Sequence, residues 1–274
     1  SRGMGGHAGA IIDIKSKKCD INCGKQYTGD SIKEARFYET LNTFVKNKKL
    51  PKQYLSFFPK FYSNYCKQNN IIYFEIENLK TKAGINADIL DFKIGFKTSY
   101  AFNSGIMKEK RHTVINKLST SDKYGFRLEG KSKEIINKKQ QLHKSKQISM
   151  KTFSKKSKFS NYGTNPFYVF NSFFTKRTDA LKTLKSLNRL IKYFILPNYK
   201  NAINGKLAIG FIGSSVLFVS GDKSSFVKLI DFAHPILLSD ETSDKLKHKY
   251  IKVIINMTNG MLNLQNELYK FTQI

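Results

Sequence analysis

Apolar residues along this chain gather into short, nearly unbroken runs in some places and recur at helical spacing in others. The runs at 71–76, 89–94, 208–219 and 226–232 are rich in Ile, Val and Phe and read as buried strands. Between the last two, Gly221-Asp222 is a hairpin turn signal. Weaker strand patterns occupy 10–14, after Gly5, Gly6 and Gly9, and start again at 126–128. Residues 17–29 read as a hairpin or irregular stretch ending at the Gly29-Asp30-Ser31 turn. Helical spacing marks 31–46, where Ser31 and Glu34 form a capping-box pair. It marks 103–118, where Ile106, Met107, Val114, Ile115 and Leu118 share one arc. It also marks 167–194, closed by Pro197, and 245–271, interrupted at Gly260. Pro51 and Pro59 break the stretch after the first helix. The order predicts a small β-rich lobe over 1–79 and a larger mixed α/β lobe over 80–274.

With 274 residues, 40% of them apolar and 13% aromatic, the chain can bury a substantial core. The longest apolar stretch, 207–219, is too short and too broken by Gly and Ser to span a bilayer. No signal peptide is evident, and three cysteines suit a reducing compartment, so an intracellular protein of the cytoplasm or nucleus is expected. Cys19 and Cys23 lack the second ligand pair that zinc needs, so free thiols are expected there and at Cys66. The net charge of +28 raises nucleic acid as a partner. Yet 42 of the 48 basic residues are Lys, and only six are the forked Arg that nucleic-acid readers favour. The charge reads better as a field that concentrates a small, highly phosphorylated substrate. Residues 131–160 hold ten Lys and one acid, Glu134, and form either a solvated basic insertion or a basic lip over a substrate cleft.

Two acids stand where hydrophobic packing would not put them. Asp91, in Ala87-Asp88-Ile89-Leu90-Asp91-Phe92-Lys93-Ile94-Gly95, and Asp231, in Leu229-Ile230-Asp231-Phe232-Ala233-His234, each read as closing an apolar strand. Desolvating a carboxylate costs several kcal/mol unless it is paired or binds a cation. An acid capping a turn is the plainer alternative for Asp91. Alternation along a strand puts Asp91 and Lys93 on one side, so an acid and a base face one cleft. This is the equipment of a nucleotide–metal site for phosphoryl transfer. No Gly-x-x-x-x-Gly-Lys-Ser/Thr occurs, which leaves the kinase-like solution of a strand lysine braced by a helix acid.

The same residues carry a family resemblance. Asp91-Phe92-Lys93-Ile94-Gly95, Ser214-Ser215-Val216-Leu217-Phe218 and Ile230-Asp231-Phe232-Ala233-His234 resemble, in order, the motifs of the inositol polyphosphate kinases. Gly6-His7-Ala8-Gly9 and Glu34-Ala35-Arg36-Phe37-Tyr38-Glu39 resemble that family's opening motifs. Where the family usually has proline before Asp-x-Lys, this chain has Ala87, so the approach to that strand is expected to differ. The resemblance implies an α+β, two-lobed protein-kinase-like fold of the ATP-grasp-like or SAICAR-synthase-like kind. It implies ATP and Mg2+ as cofactors and inositol phosphates as substrates. Cys23-Gly24-Lys25-Gln26, upstream of the Glu34 motif, resembles the segment of the family's ATP lysine, so Lys25 would meet the α- and β-phosphates, with Glu34 as its brace; a surface role for a lysine in so Lys-rich a segment is the alternative. Glu77 and Leu79 would hold adenine through the backbone, and Asp91 the ribose, with proton acceptance as its other assignment. Lys93 would face the transferring phosphoryl and the substrate, Asp231 would bind magnesium, and His234 would contact substrate phosphate.

Lys110 and Lys117, seven apart on the 103–118 helix, join Lys108 and Arg111 as a candidate basic edge for a polyphosphate, or else as a solvated face. Ala233-His234 after Ile-Asp-Phe points to the multikinase and hexakisphosphate kinase branches, and the compact chain favours a multikinase. A monomer without a membrane span is expected. The rival from another class, a basic nucleic-acid-binding module on a degenerate kinase fold, leaves Asp91, Lys93 and Asp231 unexplained.

Overall fold

The computed structural model describes residues 11–13, 22–68, 70–84, 86–133, 146–149, 165–232 and 234–274. Gly6-His7-Ala8-Gly9, Cys19, Ala233 and most of the basic 131–160 stretch lie outside the described residues. Of that stretch, residues 131–133 and 146–149 are described, and they pair as antiparallel strands.

The chain opens with β1 (Ile11–Asp13), β2 (Asn22–Gln26), α1 (Asp30–Lys46), a 3-10 segment at Lys52–Phe57, β3 (Phe61–Gln68) and β4 (Ile71–Glu77). The four strands form an antiparallel sheet in the order β1-β2-β4-β3. Asn78 then caps α2 (Leu79–Ala83), its side chain accepting from the Lys80 and Thr81 amides, so that the lobe-to-lobe passage is a fixed turn. The large lobe follows with β5 (Asp88–Ile94), α3 (Ala101–Ser104), α4 (Ile106–Lys117), α5 (Ser121–Tyr124), β6 (Phe126–Lys133) and β7 (Lys146–Ser149). It continues through α6 (Pro166–Phe173), α7 (Arg177–Leu190), a π-helical turn at Ile191–Ile195 and α8 (Leu196–Ile203). Last come β8 (Ala208–Phe211), β9 (Ser215–Ser220), β10 (Ser225–Ile230), β11 (Pro235–Leu238) and α9 (Asp244–Thr272). A five-stranded sheet runs β10-β9-β5-β6-β7, and β8 pairs with β11 apart from it. With β5 at the centre of this sheet, Ile89, Leu90, Phe92 and Ile94 are all buried, which explains why apolar residues occupy both of its faces.

One core joins the lobes. Phe37, Tyr38, Phe58 and Phe74 from the small lobe share a cluster with Phe194, Phe211 and Phe232 from the large one. Ring pairs at these separations add about 0.5–1.5 kcal/mol each beyond the area they bury.

Several local expectations are corrected. Asp91 is the fourth of seven residues in β5 rather than its end, whereas Asp231 does follow the last residue of β10. The 208–219 run is two strands in two sheets, because Gly213 at φ 66° turns the chain between them. Pro197 does not end the helix; it falls in the first turn of α8, where no amide bond is lost, after the π turn has reset the register. Ser31 makes no capping box, since its hydroxyl donates to main-chain carbonyls of Gln26 and Thr28 while Glu34 is engaged by Lys25. Gly260 interrupts nothing. It lets α9 press on the end of β5: a Cβ there would lie 2.3 Å from the Gly125 carbonyl oxygen and 3.0 Å from the Gly95 amide.

The expected 103–118 helix is broken at Gly105 (φ 83°), and α4 packs with its faces reversed. Buried Arg127 on β6 donates to Asn116 Oδ1 (2.6 Å), Ser121 Oγ (3.2 Å) and Thr98 Oγ1 (3.4 Å). Thr98 Oγ1 also donates to Asn116 Oδ1 (3.0 Å) and lies 3.1 Å from His112 Nδ1. The polar arc of α4 therefore faces the body. Met107, Val114 and Leu118 face solvent.

Candidate active site

β2, α1 and the turn after β10 converge on one ammonium. Lys25 Nζ donates to Glu34 Oε2 (2.5 Å) and Asp231 Oδ1 (3.2 Å). Burial alone would push the Lys25 pKa down, but the two carboxylates outweigh it and raise it above the ordinary lysine value. Glu34 is fully buried, which pushes its carboxyl up, and Lys25 pulls it back. Asp231 adopts φ 63°, a conformation rare outside Gly though tolerated by Asp. That turn leaves its carboxylate half-exposed beside Lys25 and sends Phe232 into the core.

Asp91 and Lys93 lie on the same side of β5, as alternation requires. The Asp91 side chain is buried, and among the described residues its Oδ1 and the Ser215 Oγ on β9, which lie near each other, are enclosed without a hydrogen bond of good geometry. Burial first, and then the charge of Asp231, raise the Asp91 carboxyl to about 7, against the pull of the nearby Ser215 hydroxyl and Lys93. Two unsatisfied polar atoms beside a half-exposed carboxylate are costly unless a polar ligand completes them. The residues fit a nucleotide with a divalent ion. Among the described residues no three His, Cys, Asp or Glu side chains form a metal cage, so an ion here would take carboxylate oxygen from Asp231 and its remaining ligands from phosphate and water.

A cationic pocket adjoins this pair. His234 Nε2 stands 4.0 Å from Asp30 Oδ2, and burial, opposed by Asp30 and aided by Lys108, Lys33 and Lys93, lowers the imidazole pKa. Lys33 first, then His234 and Lys108, hold the Asp30 carboxyl below its ordinary value, against burial. Lys33, Lys108 and His234 thus stand around Asp30, with Lys93 near His234, an arrangement able to take a polyphosphate. Lys110 and Lys117 are not brought there. At 100° per residue they project about 160–180° from Lys108, on the solvent arc of α4, with Arg111 between.

At the passage between lobes, the Glu77 amide donates to Lys60 O (2.8 Å), and its carboxylate accepts from Lys60 N (3.2 Å) and Lys82 Nζ (2.7 Å). Leu79 begins α2, where a helix leaves its first amides without internal partners. Lys82 and the buried Lys228 of β10 help hold the Glu77 carboxyl below its ordinary value despite burial.

Sequence reading missed Lys33 and Asp30, which look like solvated first-turn residues until His234 is seen beside them. It assigned no role to Ser215 although it stands in a quoted motif. Glu129 was also missed. It occupies the register shift of β6 opposite Asp91 and Phe92, so nothing in the alternation of that strand announces it.

Residues 73–262, well over half of the chain, match the Inositol polyphosphate kinase family. Among solved structures the chain is similar to inositol phosphate multikinase Ipk2 from S. cerevisiae in complex with ADP and Mn2+, at 19% identity and a TM-score of 0.59, over 92% of this chain and 99% of that one. It is also similar to a second inositol phosphate multikinase structure, at 18% identity and a TM-score of 0.58, over 86% of this chain and 98% of that one. No curated protein sequence matches it. The kinase-like, two-lobed fold expected from the motifs is the fold of these structures. The chain belongs to the inositol polyphosphate kinase family and is an inositol polyphosphate kinase.

Proposed function

We propose that this kinase transfers the γ-phosphoryl group of ATP, with magnesium, to a ring hydroxyl of an inositol phosphate, as a multikinase. The observation that carries the proposal is the Lys25 ammonium held between Glu34 and Asp231 at 2.5 Å and 3.2 Å, because it unites three separate motifs at one point. Lys25, aimed by buried Glu34, would bind the α- and β-phosphates. Magnesium, when bound, supplies charge neutralisation on the β- and γ-phosphates. Asp231 would hold it, and Asp91 would reach the ribose with its unsatisfied oxygen. Lys93 would stabilise charge developing on the phosphoryl group in flight. Lys33, Lys108 and His234 would orient the acceptor by its phosphates. Adenine would meet the Leu79 amide, since the Glu77 amide is already taken by Lys60. The correspondence in extent with two multikinases, each covered over nearly its whole length, supports this choice over a hexakisphosphate kinase.

Turnover with ATP and magnesium on inositol phosphates from tris- to hexakisphosphate, with product isomers identified, tests it. Phosphorylation of free hydroxyls is expected. Pyrophosphate formed from the hexakisphosphate alone would replace the multikinase with a hexakisphosphate kinase, and no turnover on any member would end the proposal.

A further inference from the structure

The reversed packing of α4 leaves a surface that folding does not use. Its inner arc is seated by polar contacts: Asn116 with Arg127 and Thr98, His112 with Thr98, and Glu109 in an ion pair with Lys97, with Ile115 half-buried on the same side. Burial and Arg127 lower the His112 pKa to about 4, so it is neutral in that role. The outer arc spans about 140° at 100° per residue and holds Ile106, Met107, Lys110, Arg111, Val114, Lys117 and Leu118. It contains no acid. Ile106, Met107, Val114 and Leu118 are 63%, 81%, 56% and 80% exposed, among the most exposed large apolar side chains described. Water-facing apolar residues scattered singly need no explanation, but four on one helical face do.

We propose that this arc docks the kinase on an anionic membrane surface, with α4 lying in the plane of the headgroups. Three features favour a bilayer over a protein partner. The apolar and cationic side chains share the same arc, cations flanking the apolar block, so the lysine stems can pass along the buried hydrocarbon and place their charges among anionic headgroups. Met107 and Leu118 protrude instead of lining a recess, which suits insertion into an interface. A net charge of +28 gains from an extended anionic surface what one acidic peptide cannot supply. Lys108 lies on the opposite arc, with Asp30 and His234, so docking and capture of a soluble substrate draw on different side chains.

The chain has no Trp, so a single one reports cleanly. In Met107→Trp, emission should shift to the blue with mixed phosphatidylcholine–phosphatidylserine vesicles and stay fixed with phosphatidylcholine alone. Leu181→Trp, on α7, should not respond to either. In sedimentation with the mixed vesicles, the combined Met107→Ser, Val114→Ser and Leu118→Ser change should cut binding by about tenfold or more. Thermal unfolding of that variant should match wild type, because its three side chains are exposed. Lys110→Gln with Lys117→Gln should weaken binding at low salt and matter less at high salt. The proposal fails if wild type ignores the anionic vesicles or binds neutral ones equally. It also fails if the serine variant binds as wild type does, which would reduce the effect to diffuse adsorption of a basic protein.

Discussion

Phe232 sets its ring 5.1 Å from that of Phe37, centroid to centroid, and so locks the turn after β10 to helix α1. Tyr38 (5.7 Å), Phe58 (5.1 Å) and Phe211 (4.6 Å) close around the same ring. The residue before Phe232 is Asp231, and Phe37 stands one helical turn from Glu34. The aromatic contact therefore fixes the two acids that share Lys25. Phe232→Leu should cost about 2 kcal/mol in denaturant unfolding, from lost ring pairs and imperfect filling. Its turnover number should fall further than the folded fraction explains. Full activity in the folded Leu variant would show that Asp231 is positioned without this contact.

Asp231→Asn should abolish turnover while leaving the melting curve close to wild type, since the side chain is half-exposed and the φ of 63° suits Asn as well as Asp. Lys25 then keeps Glu34 but loses its second carboxylate. Near-normal activity in a folded Asp231→Asn protein would remove the metal-holding role proposed for it.

How far the site was legible follows from the kind of signal each residue leaves. Asp91 and Asp231 betray themselves because a carboxylate in an apolar run has no packing reason to be there. Lys25 and Glu34 were found by motif order, and their ion pair is the geometry that order implied. The helix at 106–117 misled because an apolar arc normally marks the buried face, and no local pattern announces an arginine eleven residues beyond Asn116. Arg127 reverses the rule by offering the helix a polar seat. Gly260 reads as a helix breaker in any window of sequence, yet its missing side chain is what lets Gly95 and Gly125 approach α9. Long-range close packing leaves no periodic trace.

Lys108→Ala should raise the Michaelis constant for the inositol phosphate about fivefold at low salt, the scale of one exposed lysine–phosphate contact, and leave that for ATP unchanged. Changing Lys110 and Lys117 together to Gln should move it by less than about twofold, because both lie on the far arc of α4. Steady-state kinetics on a soluble substrate decide between the arcs. A larger effect from the pair than from Lys108 would mean that α4 presents its outer face to the cleft.

Lys228 ties β10 to the small lobe. Its Nζ donates to Ser56 O (2.5 Å) and Phe58 O (3.1 Å), beside Glu77. Burial lowers its pKa from 10.5 to about 8, with Lys82 adding to the fall and Glu77 opposing it. A folded-state value below the unfolded one means that the unfolded chain binds the extra proton between these two limits. Stability should therefore rise with pH from about 8 towards 10.5 through this residue, and below 8 its contribution should be flat. Lys228→Met removes the titration. The difference in unfolding free energy between wild type and Lys228→Met should be constant up to pH 8 and then grow in favour of wild type. Curves that stay parallel across that window would show that the buried ammonium keeps an ordinary affinity for its proton, held there by the two carbonyls.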